Sequence, residues 1–276
     1  MKQQNEQTRD KKTSHFDCNH NKQQSDSKTI PCYEKLLLNI PHSSSSFPSS
    51  TGYTFVDLDE EEKLLIDYFT DELFAHEGEE RQISCAVFPY CRLYCDVERL
   101  VNDPLEQKGL GISYKRILDS NQSPSEQRTF GNLNEAFNYY ADFHVYVSKK
   151  IVDMTFINQK LLLLDCHSFS SQPNLLNTNP PDIDICIGFN EDETKPCNDV
   201  LLAIETHFKE CGYKVGINNP FSNSKTFLVP VRYHSVMIEV NKRLYMNEQT
   251  LEKTDQFEKL RASILALYTL ILSQGL

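Results

Sequence analysis

The sequence predicts an α/β fold: a mixed, mainly parallel sheet with helices on both faces. Three observations carry that prediction. Two short aliphatic runs, residues 36–40 and 161–164, each lead into a histidine, His42 and His167; a continuous apolar run closed by a turn signal reads as a strand buried on both faces. Strand-like segments then alternate with amphipathic helical ones, the pattern of a sheet covered on both sides. With 276 residues and 39% hydrophobic content, the chain can build one sizeable core.

Residues 1–32 are rich in Gln, Lys, Asn, Asp and Ser with almost no aliphatics, which predicts a flexible polar tail. A single catalytic domain is expected over 33–276. It opens with the strand at 36–40, followed by a Ser/Pro/Gly loop over 43–52. Residues 57–80 read as an acidic amphipathic helix, with Leu64, Leu65, Tyr68, Phe69 and Leu73 near helical spacing. A strand-like stretch over 83–96 is interrupted by Pro89, and a long aromatic-rich helix over 132–158 opens at Asn132 or Asn134. The second buried strand spans 161–166, and a short one spans 184–189. A helix over 198–211 stops at Gly212. A strand over 236–240 and an amphipathic helix over 254–273 close the chain.

The formal net charge of −11 argues against nucleic-acid or anionic-membrane partners, which favour basic patches. No apolar run reaches the length of a membrane span, and the first residues show no secretory signal. Nine cysteines without a C-x-x-C pair read as reduced thiols of a cytoplasmic protein. His15, Cys18 and His20 read as scattered tail residues.

The chemistry gathers at strand ends, because ligands of open α/β sheets bind outside the carboxyl ends of the strands. A catalytic zinc takes three protein ligands and leaves a fourth position open. His42 and His167 are the first two candidates, and the third should be a carboxylate. Asp71 and Glu72, on the acidic helix, are the nearest candidates, although an acidic helix face is usually just solvated. Each histidine taken singly is more often a satisfied core residue; two at strand ends, each followed by serine (Ser43, Ser168), favour a metal. Asp165 either orients a ligand histidine or caps a turn. The serine run 43–46 lacks a nucleophile-elbow pattern, and Cys166 points to the opposite strand face from His167. Glu239 is a lone acid inside the apolar strand 236–240: burial would raise its pKa towards general-base duty, unless it pairs with Arg232 or Arg243. Arg92 lies in an otherwise apolar stretch, and Arg92 and Arg99 suit carboxylate binding or carbonyl polarisation.

These segments together resemble the N-formylglutamate amidohydrolase (deformylase) family: Ile40-Pro41-His42-Ser43, Thr70-Asp71, Arg92 through Asp96 to Arg99, Asp165-Cys166-His167-Ser168, and Glu239 with Asn241, Leu244, Tyr245 and Met246. The resemblance implies a phosphorylase/hydrolase-like α/β fold related to zinc carboxypeptidases. It implies hydrolysis of N-formyl-L-glutamate to formate and L-glutamate, and a place in histidine degradation. By position, His42, Asp71 and His167 match the zinc ligands, with Glu72 an alternative to Asp71. Glu239 matches the acid/base, and Arg99 and Arg92 the arginines facing substrate. Ser43, Ser168, Asn218 and Asn241 are the expected substrate contacts. The chain departs from the family pattern at Glu98, where Asn is usual, in the segment 218–224, where glycines are usual, and in the run 43–46. Those departures keep two alternatives open: a catalytically silent relative that binds an acyl-amino acid or peptide, and a zinc carboxypeptidase or amidase with another substrate.

Overall fold

A computed structural model describes residues 33–75, 82–114, 131–156, 159–174 and 176–272; the expected tail lies outside the described residues. Strand β1 (Lys35–Ile40) is followed by helices α1 (Glu60–Leu64) and α2 (Thr70–Phe74), strand β2 (Ile83–Val87), helix α3 (Leu133–Met154) and strand β3 (Leu161–Phe169). Then come β4 (Ile185–Gly188), α4 (Asn198–Glu210), β5 (Val215–Ile217), β6 (His234–Asn241) and α5 (Phe257–Leu272). The six strands form one sheet in the order β2-β1-β3-β6-β4-β5. All neighbours are parallel except β4 and β6, which run antiparallel.

The central strands have the apolar composition that two-sided burial requires. Every residue of β3 is buried, as are Leu36 to Ile40 of β1. Helices cover both faces. Lys150 of α3 donates to the Ser84 hydroxyl of β2 at 2.8 Å. On the other face, Tyr268 of α5 bonds the Phe74 carbonyl of α2 at 2.7 Å and lies close to the thiols of Cys166 and Cys85. Neighbouring residues of a strand point to opposite faces, so Ser84 and Cys85 mark the two layers. Among the described residues, no helix is long and apolar enough to cross a membrane.

The long helix expected over 132–158 is α3, opened by the Asn132 side chain, which accepts from the Asn134 amide at 2.9 Å. The main departure is the expected helix at 57–80. Asp59 and Glu62 form a reciprocal capping box at 2.8 Å each that starts α1. After Leu65 the chain leaves the helix, and Phe69 takes a left-handed φ of 61° before α2 begins. The Asp67 amide bonds the His42 carbonyl at 3.0 Å, a tertiary contact that replaces the bond a continuing helix would make. Helical periodicity misses this break because tertiary bonding overrides local propensity. The consequence is a turn, not a helix face, beside the end of β1.

Candidate metal centre

Parallel register aligns the site. Asn39 of β1 lies opposite Asp165 of β3, and His167 of β3 lies opposite Glu239 of β6. The carboxyl ends of three adjacent strands therefore deliver His42, His167 and Glu239 to one edge of the sheet, and the 65–69 turn adds Asp67. The Asp67 Oδ2 lies 3.2 Å from His167 Nδ1 and 3.6 Å from His42 Nδ1. The two imidazole centroids are 5.1 Å apart. One donor atom from each of His42, Asp67 and His167 falls within 4.8 Å of the other two.

The outer nitrogens of both rings meet carboxylates. His42 Nε2 bonds Asp96 Oδ1 at 2.9 Å, which assigns its proton to that nitrogen and turns the Nδ1 lone pair inward. His42 Nδ1 is buried without a hydrogen-bond partner. His167 Nε2 lies 3.2 Å from both Asp165 Oδ1 and Glu98 Oε2, and Asn39 Nδ2 bridges those two acids at 2.9 Å each. Two imidazole nitrogens and one carboxylate oxygen, backed by carboxylates, are the donor set of a borderline divalent cation such as zinc. Three protein donors leave a position open, as a catalytic rather than a structural site requires.

The charges of the site follow from burial and partners. For Asp67, burial disfavours the charge, but the hydrogen bond from His167 and the attraction of both imidazoles win and hold its pKa far below the usual range. Asp96 is likewise opposed by burial and pulled down by Arg92, His42 and Arg99. Asp165 is held at about 2 against burial, chiefly by His167. His167 is raised well above the ordinary imidazole value despite burial, because Asp165 and Glu98 stabilise its cation. Glu239 behaves oppositely. Burial pushes it to about 8, with Asp67 and Asp165 adding to the effect and His167 and Arg92 opposing it. Its Oε2 has no hydrogen-bond partner.

The structure places the expected site residues unequally. His42, His167 and Glu239 come together. Asp71 does not join them: it lines a surface cleft of about 340 Å³ with Glu72, Ala75, Phe257, Glu258 and Arg261. Glu72 pairs there with Lys253. The carboxylate between the histidines is that of Asp67, four residues earlier, because the chain breaks out of the helix at this point. Arg92 is buried and bonds Asp96 Oδ2 at 2.8 Å and the Leu65 carbonyl at 3.3 Å. Arg99 is partly exposed, 3.5 Å from Asp96 Oδ2. Ser43 sits buried directly after His42, and Ser168 presents a buried hydroxyl beside Tyr245. Asn218 and Asn241 are occupied by backbone: Asn218 accepts from the Phe189 amide at 2.9 Å, and Asn241 donates to the Ile183 carbonyl at 3.0 Å. Both side chains tie neighbouring segments together.

Asp67, Asp96 and Asn39 were missed by sequence reasoning. Asp67 carried a usable signal: it is a lone acid in Leu64-Leu65-Ile66-Asp67-Tyr68-Phe69, the same signal that singles out Glu239.

Comparison with known proteins follows the same direction. The model of the N-formylglutamate amidohydrolase family matches residues 34–246. No curated protein matches the chain. Among solved structures, the N-formylglutamate amidohydrolase of Ralstonia eutropha JMP134 superposes with a TM-score of 0.69 at 21% identity, over 89% of this chain and 96% of that one. A gene product of Agrobacterium tumefaciens superposes with a TM-score of 0.56 at 17% identity, over 87% of this chain and 92% of that one. At such identities the two likenesses carry the fold.

Proposed function

This chain belongs to the N-formylglutamate amidohydrolase family, hydrolases of a linear amide, and we propose that it is a zinc-dependent enzyme cleaving N-formyl-L-glutamate to formate and L-glutamate in the cytoplasm. The observation that carries the proposal is the buried His42–Asp67–His167 cluster with Glu239, whose Oε2 has no hydrogen-bond partner, opposite His167 in the sheet register. His42, Asp67 and His167 would hold the ion through two imidazole nitrogens and one carboxylate oxygen. A zinc ion bound there supplies Lewis acidity, which polarises an amide carbonyl and acidifies water.

The remaining steps belong to the protein's own side chains. Glu239 takes a proton from the attacking water and returns it to the leaving amine nitrogen, a role suited to a carboxylate whose pKa is raised towards neutrality. Asp96 orients His42, and Asp165 with Glu98 orients His167. Arg99, a half-buried side chain whose Nε has no hydrogen-bond partner, supplies positive charge to the developing oxyanion or to the substrate carboxylate. Arg92 reinforces that charge from its buried position on Asp96. Ser43 directly follows His42, whereas Ser168 points to the opposite strand face from His167, beside Tyr245.

The test is metal analysis followed by hydrolysis of a panel of N-acyl amino acids. The expected result is about one zinc per chain, formate release from N-formyl-L-glutamate, and loss of turnover with a chelator. Zinc-loaded protein that turns over nothing on the panel identifies the chain as a silent binding relative and overturns the proposal.

A further inference from the structure

The turn that carries Asp67 is gripped by three side chains from outside it, and two of them, Lys242 and Tyr245, have no part in the proposed chemistry. A helix C-terminus leaves carbonyls without amide partners, and cationic side chains can take them. Here Lys242 Nζ bonds the Leu64 carbonyl at 2.6 Å, Arg92 bonds the Leu65 carbonyl at 3.3 Å, and the Tyr245 hydroxyl bonds the Tyr68 carbonyl at 2.9 Å. Lys242 is 2% exposed. Burying an ammonium group is costly unless its surroundings compensate. Its surroundings do so in part: Asp67, Glu248 and Glu239 bear on it electrostatically, and the Tyr68 ring lies 5.9 Å away. Lys242 follows the end of β6, three residues after Glu239. One side chain therefore spans from the strand that presents Glu239 to the turn that presents Asp67.

We infer that Lys242 is a positioning residue that locks the Asp67 turn to the exit of β6, setting the metal affinity of the site and the placement of Asp67 relative to Glu239. The inference rests on the reading of Asp67 as a metal ligand given above. A side chain that only fills space would stabilise the fold without tuning metal binding; one that holds the turn controls both. Tyr245, from the same stretch after β6, acts on the far side of Asp67 in the same sense.

Zinc affinity, measured by chelator competition on purified full-length protein, separates these cases, with circular dichroism confirming the fold. Lys242→Met should weaken zinc binding about tenfold or more, the usual effect of losing a supporting partner of a metal site. Lys242→Arg, which keeps a donor within reach of Leu64, should restore most of the affinity. A folded Lys242→Met protein that binds zinc as tightly as the parent overturns the inference and leaves the metal site standing. A parent that binds no zinc overturns the reading of the site itself. If Lys242→Met does not fold, Lys242→Gln takes its place with the same expected loss. A chain that folds with neither substitution makes Lys242 a determinant of folding, which also overturns the inference.

Discussion

Asp67 and Glu239 are both buried carboxylates beside His167, yet their surroundings drive them apart. Asp67 sits between two imidazoles, which keep it ionised against the cost of burial. Glu239 lies opposite His167 in the sheet register, has an unpartnered oxygen and is pushed to about 8 by burial. Two acids separated in this way can divide the work. One stays charged and can bind a cation, while the other can gain and lose a proton near neutral pH. Two protein features produce the difference. The 65–69 turn aims Asp67 into the histidine pair, and the apolar strand β6 leaves Glu239 Oε2 without a hydrogen-bond partner.

The largest expected effect comes from removing the charged member. Asp67→Ala or His167→Ala should abolish tight zinc binding and reduce hydrolysis of N-formyl-L-glutamate to background, whereas Asp71→Ala should leave both unchanged. Zinc content and turnover measured on the three variants check this. Zinc loss in Asp71→Ala with retention in Asp67→Ala would reverse the assignment. Next comes Glu239→Gln, which keeps the shape but cannot take a proton. It should retain zinc while kcat falls by about 100- to 10,000-fold, the usual share of general acid–base catalysis. Normal turnover would remove Glu239 from the base role.

A smaller effect tests the support behind the ligands. Asp96 accepts from His42 at 2.9 Å, from Arg92 at 2.8 Å and from Tyr114 at 2.9 Å. Asp96→Asn should weaken zinc binding by roughly 10- to 100-fold and leave the protein folded. Chelator competition against Asp67→Ala ranks the two, and an Asp96 effect equal to that of Asp67 would mean Asp96 is itself a ligand.

The same contrast explains what was legible in the sequence. Strands β1, β3 and β6 announce themselves by aliphatic runs, because two-sided burial leaves little choice of residue, and their ends carry His42, His167 and Glu239. The crossover helix α3 is legible through its length and its Asn132 cap. The turn that places Asp67 is not, although the residue stands out as a lone acid, because periodicity through Leu64, Leu65, Tyr68 and Phe69 favours a continuing helix, and the bond from the Asp67 amide to the His42 carbonyl interrupts it. That contact joins residues far apart in the chain, which local patterns do not encode. Asn39, Asp96 and Lys242 are hidden for the same reason: each supports the site only through register or long-range packing. Strand β5, three residues long, is too short to give a pattern.

The smallest effect concerns stability, and its sign separates the two acids once more. The pKa of Glu239 rises from 4.5 to about 8 on folding, so the folded metal-free protein holds a proton that the unfolded chain releases. Its contribution is therefore fully present below about 4.5 and is lost as the pH rises through about 8. Asp67, whose pKa falls on folding, contributes in the opposite direction: its stabilisation is present above the ordinary carboxylate value and is lost as the pH falls below it. Glu239→Gln removes the proton loss at position 239. The metal-free variant should match the parent at about pH 4 and exceed it at about pH 8 by on the order of a few kcal/mol. Each kcal/mol should appear as a rise in melting temperature of roughly 2–4 °C. Thermal melts of the two metal-free proteins across that range decide it. A variant less stable than the parent at the alkaline end would mean that Glu239 has a stabilising partner, and the contrast with Asp67 would collapse. A gain in stability accompanied by loss of turnover would show that the strand keeps an unfavourable carboxylate for the sake of its proton.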